Sequence, residues 1–319
     1  MTVVVLTTGG TIASGRSDRN RIAPTPDGLK AIEPLAEPSV LVREVMAIDS
    51  STMSLQRMVT IRDAVTEALD DPDVDGVVVL HGTDTLEETA MLLDLFHDDP
   101  RPVVLTGAQR PADHPDPDGP HNIRTAIATA RRADAHHRGV LIAFGDEVLP
   151  ARGTRKGHTT RLAAYEHYLP ASDRKRATLP WHPGIAELRV DIVALYPGAD
   201  RTHIDASVTA GARGIVLDAM GSGNANPNTL AAVRDCIASD IAVAVTSRVP
   251  DGVIEPIYGG TGGGHDLIAA GAIASPWLRA AQARILLAAL LGTGADHSSI
   301  AAAFADVVGL AAKAQCAPG

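Results

Sequence analysis

Five short runs rich in β-branched residues, at 3–8, 42–49, 76–81, 103–106 and 140–144, limit most strongly what this chain can fold into. Apolar residues dominate each, without the strict alternation of a half-exposed strand. Each therefore reads as a parallel strand covered on both faces. Helical patterns lie between them. Ile61, Ala64, Val65, Ala68 and Leu69 make one stripe across 60–69, and Leu86, Ala90, Leu93 and Phe96 make another across 86–96. A third helix is expected over 122–133, capped by Asn122 after the Gly119-Pro120 turn. Strands alternating with helices give an open α/β sheet with right-handed crossovers.

The rhythm breaks at 168–184, which holds Pro170, Pro180 and Pro183 and the charged run Asp173-Arg174-Lys175-Arg176. Such a stretch is expected to connect domains. A second α/β set follows, with strands at 190–196, 214–219 and 241–247. Asn226-Pro227 opens a helix through 238, as cap and first-turn proline. Two more helices are expected near 278–291 and 298–309. The chain of 319 residues suits two domains at about 150 residues each. The expected architecture is a larger N-terminal α/β domain, 1–185, with a mainly parallel sheet flanked by helices. A smaller C-terminal α/β domain, 186–319, carries a second parallel sheet.

Charge and composition exclude several classes. The net charge of −10 and an aromatic content of 3% argue against a nucleic-acid partner, which needs basic patches and stacking platforms. Two cysteines, Cys236 and Cys316, cannot build a disulfide framework or a Cys-rich zinc site. No stretch is apolar over the ~18 residues of a membrane span, so no membrane partner is expected. No basic residue precedes Arg16, unlike a signal peptide, and a cytoplasmic location is expected.

Ligands of open α/β sheets bind beyond the carboxyl ends of the strands. Four strands here run into small polar residues at that end: Thr7-Thr8-Gly9-Gly10-Thr11, Asp49-Ser50-Ser51-Thr52-Met53, His81-Gly82-Thr83-Asp84-Thr85 and Thr106-Gly107-Ala108-Gln109-Arg110-Pro111. Hydroxyl and carboxylate groups, rather than phosphate-cradling loops, converge on one edge. Gly9-Gly10 permits a sharp turn that presents the Thr11 hydroxyl, and a hydroxyl becomes a nucleophile only beside a base. Lys156, after the fifth strand, is a candidate base. Thr85 and Glu88 have the spacing of a capping box, a purely structural role. The loop from His114 to His121 has metal-ligand residue types but reads as a proline-rich turn. The run Gly259 to Gly264 lacks the preceding strand of a dinucleotide fingerprint and reads as a flexible loop. Gly221-Ser222-Gly223-Asn224 follows a strand and offers Asn224 to a ligand or to a plain turn.

Thr8-Gly9-Gly10-Thr11-Ile12-Ala13 and His81-Gly82-Thr83-Asp84-Thr85-Leu86-Glu87-Glu88-Thr89 resemble the two signature motifs of the bacterial-type L-asparaginase/glutaminase family. The resemblance continues through Thr106 to Pro111, Asp118-Gly119-Pro120, Arg152 to Thr160 and Ser247-Arg248-Val249-Pro250. It implies cofactor-free hydrolysis of L-asparagine to L-aspartate and ammonia through a threonine nucleophile, with the catalytic residues in the N-terminal domain. Matched by position, Thr11 is the nucleophile, and Thr83, Asp84 and Lys156 form a second Thr–Asp–Lys group. Ser50, with Ser51 beside it, would hold the substrate α-carboxylate, and Asp84 would face the α-ammonium. Asn224 matches a residue lent by a neighbouring subunit, which implies a homo-oligomer, a dimer or a dimer of dimers. A glutaminase-asparaginase of broader specificity and a non-catalytic amino-acid sensor are the alternatives.

The sequence departs from the family pattern in three places. Residues 14–28 contain no aromatic, where family members place a tyrosine that supports the nucleophile. Ser51 stands where several members have glutamine. The acidic residue often supplied by a neighbour's second domain has no clear match, Glu255 and Asp266 being the nearest. The polar run after the first motif is expected to act as a mobile lid.

Overall fold

A computed structural model of the chain describes residues 1–10, 14–16, 22–24, 37–171 and 175–310. It divides into two compact units, Met1–His167 and Tyr168–Gly319. The segment 168–184 belongs to the second.

The first unit is built around β1 (Thr2–Gly9), whose residues are almost wholly buried. β2 (Ser14–Arg16) and β3 (Ile22–Pro24) pair as a small antiparallel hairpin inside the polar run where only a loop is expected. Then come β4 (Val40–Ile48), α1 (Leu55–Leu69), β5 (Val74–Leu80), α2 (Leu86–Phe96), β6 (Val103–Thr106), α3 (Gly119–Ala130) and β7 (Val140–Phe144). β8 (Glu147–Pro150), β9 (Thr154–Lys156) and β10 (Tyr165–His167) complete the unit. The main sheet has the order β4-β1-β5-β6-β7-β8. It is parallel except for β8, which returns antiparallel on β7.

Alternate residues of each strand feed two separate cores, as the pleat requires. Val4, Leu6, Val77 and Val79 pack against Ile61 and Val65 of α1 and Leu86, Ala90 and Leu93 of α2. Val3, Val5, Val78 and Leu80 pack on the other face against Ile123, Ala126, Ile127 and Ala130 of α3. Each such fully buried aliphatic side chain contributes about 1.5–3 kcal/mol.

Three local expectations are corrected. β4 is the edge of the sheet and mostly exposed: Leu41, Val42, Arg43 and Glu44 are accessible in succession, so the run is not covered on both faces. α1 starts a turn earlier than the stripe suggests, because Ser54 Oγ accepts from Arg57 N and caps it. α3 takes in Gly119-Pro120 as its first turn, which leaves Asn122 inside the helix rather than at its cap.

The second unit holds β11 (Val190–Ala194), α4 (Thr202–Thr209), β12 (Gly214–Ala219), α5 (Pro227–Ala238), β13 (Ala242–Ser247), α6 (Gly264–Ala269), β14 (Ile273–Ala274), α7 (Ala280–Gly292) and α8 (His297–Ala305). Its sheet, β11-β12-β13-β14, is parallel throughout. Asn226 caps α5 through Oδ1 to Thr229 N at 3.0 Å. The Gly-rich run does not end as a flexible loop: Gly264 opens α6, and Asp266 Oδ2 accepts from Gly262 N and Gly263 N.

Candidate active site

The carboxyl ends of β4, β1, β5 and β6 meet at spacings only glycine allows. A methyl group on Gly9 would lie 2.4 Å from Ile48 O, and one on Gly10 would lie 2.5 Å from Gly82 Cα. Both residues also have φ in the left-handed region, +99° and +86°. A methyl on Gly82 would strike Ser50 Oγ at 2.5 Å, and one on Gly107 would strike His81 O at 2.5 Å. Ser50 and Thr83 are thus drawn onto one rim with the end of β1 at Gly9 and Gly10. Thr11, the expected nucleophile, lies outside the described residues, as do the side chains of the lid expected at 14–28.

Hydrogen bonds tie the rim together. Thr8 Oγ1 donates to Leu80 O at 2.9 Å. Ser50 is buried, and its Oγ accepts from Asp84 N at 3.3 Å. Thr85 Oγ1 donates to Ser50 O at 2.9 Å and makes no cap bond, so the capping-box expectation is corrected: the hydroxyl joins two strand ends instead. Asp49 accepts from Ser51 N at 2.9 Å, and Ser51 itself is exposed.

Thr83, Asp84 and Lys156 come together on this rim. Lys156 Nζ donates to Thr83 Oγ1 at 2.7 Å and lies 3.6 Å from Asp84 Oδ1. The lysine side chain is only 20% exposed, whereas the Asp84 side chain is 60% exposed. Lys156 does not simply follow the fifth strand. It ends β9, whose antiparallel partner β10 places Tyr165 opposite it.

A second set of groups supports these three. Tyr165 OH donates to Thr83 O at 2.9 Å, and its ring packs edge-on against Phe144 with centroids 5.0 Å apart. Burial, and then the acidic groups Glu87, Glu88 and Asp84, push the phenol well above its ordinary range, so the hydroxyl stays a donor. Glu87 Oε2 accepts from Lys156 N. Burial, reinforced by the charge of Glu88, pushes the Glu87 carboxyl up to about 8. His81 is fully buried, its Nδ1 donating to Gly82 O at 2.7 Å and its Nε2 accepting from Thr89 Oγ1 at 3.0 Å. Burial lowers its pKa to about 4, so the ring is neutral. The base of the β9 hairpin is pinned by a buried ion pair, Arg152 Nε to Asp94 Oδ2 at 2.5 Å, and Asp94 Oδ1 accepts from Val140 N at 2.7 Å. Spacing in the sequence does not reveal these supports. Glu87 reads as an ordinary first-turn acid of a helix, and Tyr165 has no patterned neighbours.

The His114–His121 loop is a turn. Asp118 accepts from Gln109 N and Arg110 N, both at 2.9 Å, and Asn122 Nδ2 donates to Gly107 O at 2.9 Å. His114 Nδ1 and His121 Nε2 contact Asp116 and Asp146. In the second unit, Asn224 Oδ1 accepts from Gly264 N at 3.0 Å, fixing the turn after β12 against α6. Asp266 is occupied by its capping bonds, and Glu255 is exposed.

A mainly parallel α/β sheet whose strand ends gather hydroxyls, a carboxylate and a mostly buried lysine defines a hydrolase-type site among the described residues. Residues 2–172 match the family model described as Asparaginase, N-terminal, and residues 189–304 match that of the Glutaminase/Asparaginase C-terminal domain. The L-asparaginase of Bacillus licheniformis is 32% identical, over 91% of this chain and 95% of its own. The probable L-asparaginase of Deinococcus radiodurans is 34% identical, over 96% and 98%. The crystal structure of the probable cytoplasmic L-asparaginase from Campylobacter jejuni superposes with a TM-score of 0.81 at 28% identity, covering 95% of this chain and 99% of that one. Further relatives are named glutaminase-asparaginase, and one from Haemophilus influenzae is named periplasmic. The chain belongs to the asparaginase family.

Proposed function

We propose that the protein is an L-asparaginase, hydrolysing the side-chain amide of L-asparagine to L-aspartate and ammonia. The observation that carries this reading is the Thr83–Lys156 contact of 2.7 Å, with Asp84 beside it, on a rim of converging strand ends.

The roles follow from the chemistry each group can perform. The Thr11 oxygen attacks the amide carbon, and the nitrogen leaves as ammonia after taking up protons. Water then cleaves the resulting ester, restoring the Thr11 hydroxyl and releasing L-aspartate. Backbone amides near Thr11 and Thr83 are the donors for the oxyanion. In the hydrolysis step the Thr83 oxygen takes a proton from the attacking water as its own proton passes to the Lys156 amine. Asp84 stabilises the resulting ammonium, and the proton returns to the Thr11 oxygen as the ester breaks. Asp84, being open to the rim, also receives the substrate α-ammonium. Ser50 accepts from Asp84 N and so keeps its own proton to donate to the α-carboxylate. Ser51 is the neighbouring donor.

Ammonia release from L-asparagine by the purified protein tests the reading. Turnover is expected, and its absence in the folded protein would favour an amino-acid sensor. The glutaminase-asparaginase relatives make broader specificity the second reading, and a comparable kcat/KM for L-glutamine would establish it. The assembly is a homo-oligomer, a dimer or dimer of dimers, in which Asn224 of one subunit completes the site of another. Light scattering that gives a monomer at micromolar concentration refutes this. The location is cytoplasmic, as described for the Campylobacter relative, and cell fractionation checks it. Among the described residues no helix is long and apolar enough to cross a membrane.

A further inference from the structure

Glu87 has no role in the chemistry above, yet its carboxyl group is turned inward against the candidate catalytic lysine. It lies in the first turn of α2, where an acid normally faces water and complements the helix N-terminus. Here Oε2 instead accepts the backbone N–H of Lys156 across a sequence separation of 69. On the other side of β9, the cross-strand partner of Lys156 is Tyr165, which holds the carbonyl of Thr83. The two ends of the Thr83–Lys156 contact are therefore gripped from α2 and from β10.

We propose that Glu87 is a positioning residue, whose carboxyl group fixes the Lys156 backbone so that Nζ meets Thr83, and whose ionisation changes that hold. This rests on the reading of Thr83, Asp84 and Lys156 as the catalytic group. The charged and titratable groups around the Glu87 carboxyl are Glu88 on its own helix, Arg155 and Lys156 on β9, and Tyr165 on β10. Near pH 7 the carboxyl is mainly protonated and acts as a neutral acceptor. Loss of its proton near pH 8 turns the neutral acceptor of the Lys156 N–H into a charged one next to Glu88. Ionisation of Glu87 thus alters the hold on the Lys156 backbone and leaves an inflection in the kcat–pH profile.

Two variants test this, each checked by circular dichroism for native folding. Glu87→Ala removes the acceptor, and kcat for L-asparagine is expected to fall at least about tenfold with KM within about threefold. Glu87→Gln keeps an acceptor without the ionisable group. It is expected to recover most of the kcat that alanine loses, and to erase the inflection near pH 8. Wild-type kcat in the alanine variant, or a glutamine variant whose profile overlays the wild type between pH 6.5 and 9.5, overturns the proposal. Lys156→Met separates this failure from that of the catalytic reading. If Lys156→Met is inactive while both Glu87 variants behave as wild type, only the positioning role falls. If Lys156→Met is fully active, both fall.

Discussion

Adding one methyl group to Gly10 tests whether the strand ends meet as tightly as described. In Gly10→Ala the new carbon would stand 2.5 Å from Gly82 Cα and 2.6 Å from Gly82 N. Carbon atoms rest about 3.5–4.0 Å apart, so one strand end must retreat by about 1 Å. The atoms in the way are backbone and cannot rotate aside. The positive φ of +86° adds its own cost for any residue with a Cβ, about 1–2 kcal/mol. Overpacking adds about 1–3 kcal/mol, for a total of about 2–5 kcal/mol. Gly198→Ala is the control. Its φ is +87°, but nothing lies within 4 Å of the added carbon, so only the conformational cost of about 1–2 kcal/mol applies. Urea unfolding of both variants gives the difference due to crowding. Steady-state ammonia release gives the functional effect: a displacement of about 1 Å between reacting groups costs up to about a hundredfold in kcat. Equal destabilisation by the two substitutions, with wild-type kcat in Gly10→Ala, would refute the convergent geometry.

The supporting groups make further predictions. The native His81 ring stays neutral down to about pH 4, whereas the unfolded chain takes up that proton below about 6.5. Its contribution to stability is therefore complete above pH 6.5 and is lost as pH falls towards 4, by about 3 kcal/mol. Because Glu87 acts in the opposite direction as pH rises from 4.5 to about 8, the stability difference between wild type and His81→Gln is the quantity to follow in urea titrations. Arg152→Met leaves the buried Asp94 carboxylate without its guanidinium and is expected to cost about 3–5 kcal/mol. Asp94→Leu combined with Arg152→Met should recover part of that loss in the same assay. Tyr165→Phe deprives the Thr83 carbonyl of its donor and should cost about 1–3 kcal/mol, with a lower kcat.

The parallel strands were legible because burial on both faces leaves continuous apolar runs. β6 and β7 occupy the same residues as the runs at 103–106 and 140–144, and α2 the same as its stripe. The same rule misled at β4, because an edge strand can be equally rich in valine while successive residues stay exposed. α4 and α6 are short, and neither carries a stripe long enough to stand out. At the site, residues directly after strands were readable from topology alone, which is how Ser50, Thr83 and Asp84 came forward. Lys156 was visible as a residue type, but its place in a β9–β10 hairpin depends on pairings formed only after folding. Glu87, Tyr165 and the Asp94–Arg152 pair act through contacts 58 to 82 residues apart, which no local pattern encodes. Thr85 shows the converse: its spacing to Glu88 is that of a cap, yet the hydroxyl finds Ser50.

Steady-state ammonia release from L-asparagine by Lys156→Met, beside the wild type, tests the central claim most directly. Methionine keeps the length and much of the bulk of the side chain while removing the amine 2.7 Å from Thr83. The account predicts active wild type and a folded variant whose kcat is lower by about 10²–10⁴. Wild-type kcat in Lys156→Met would contradict it.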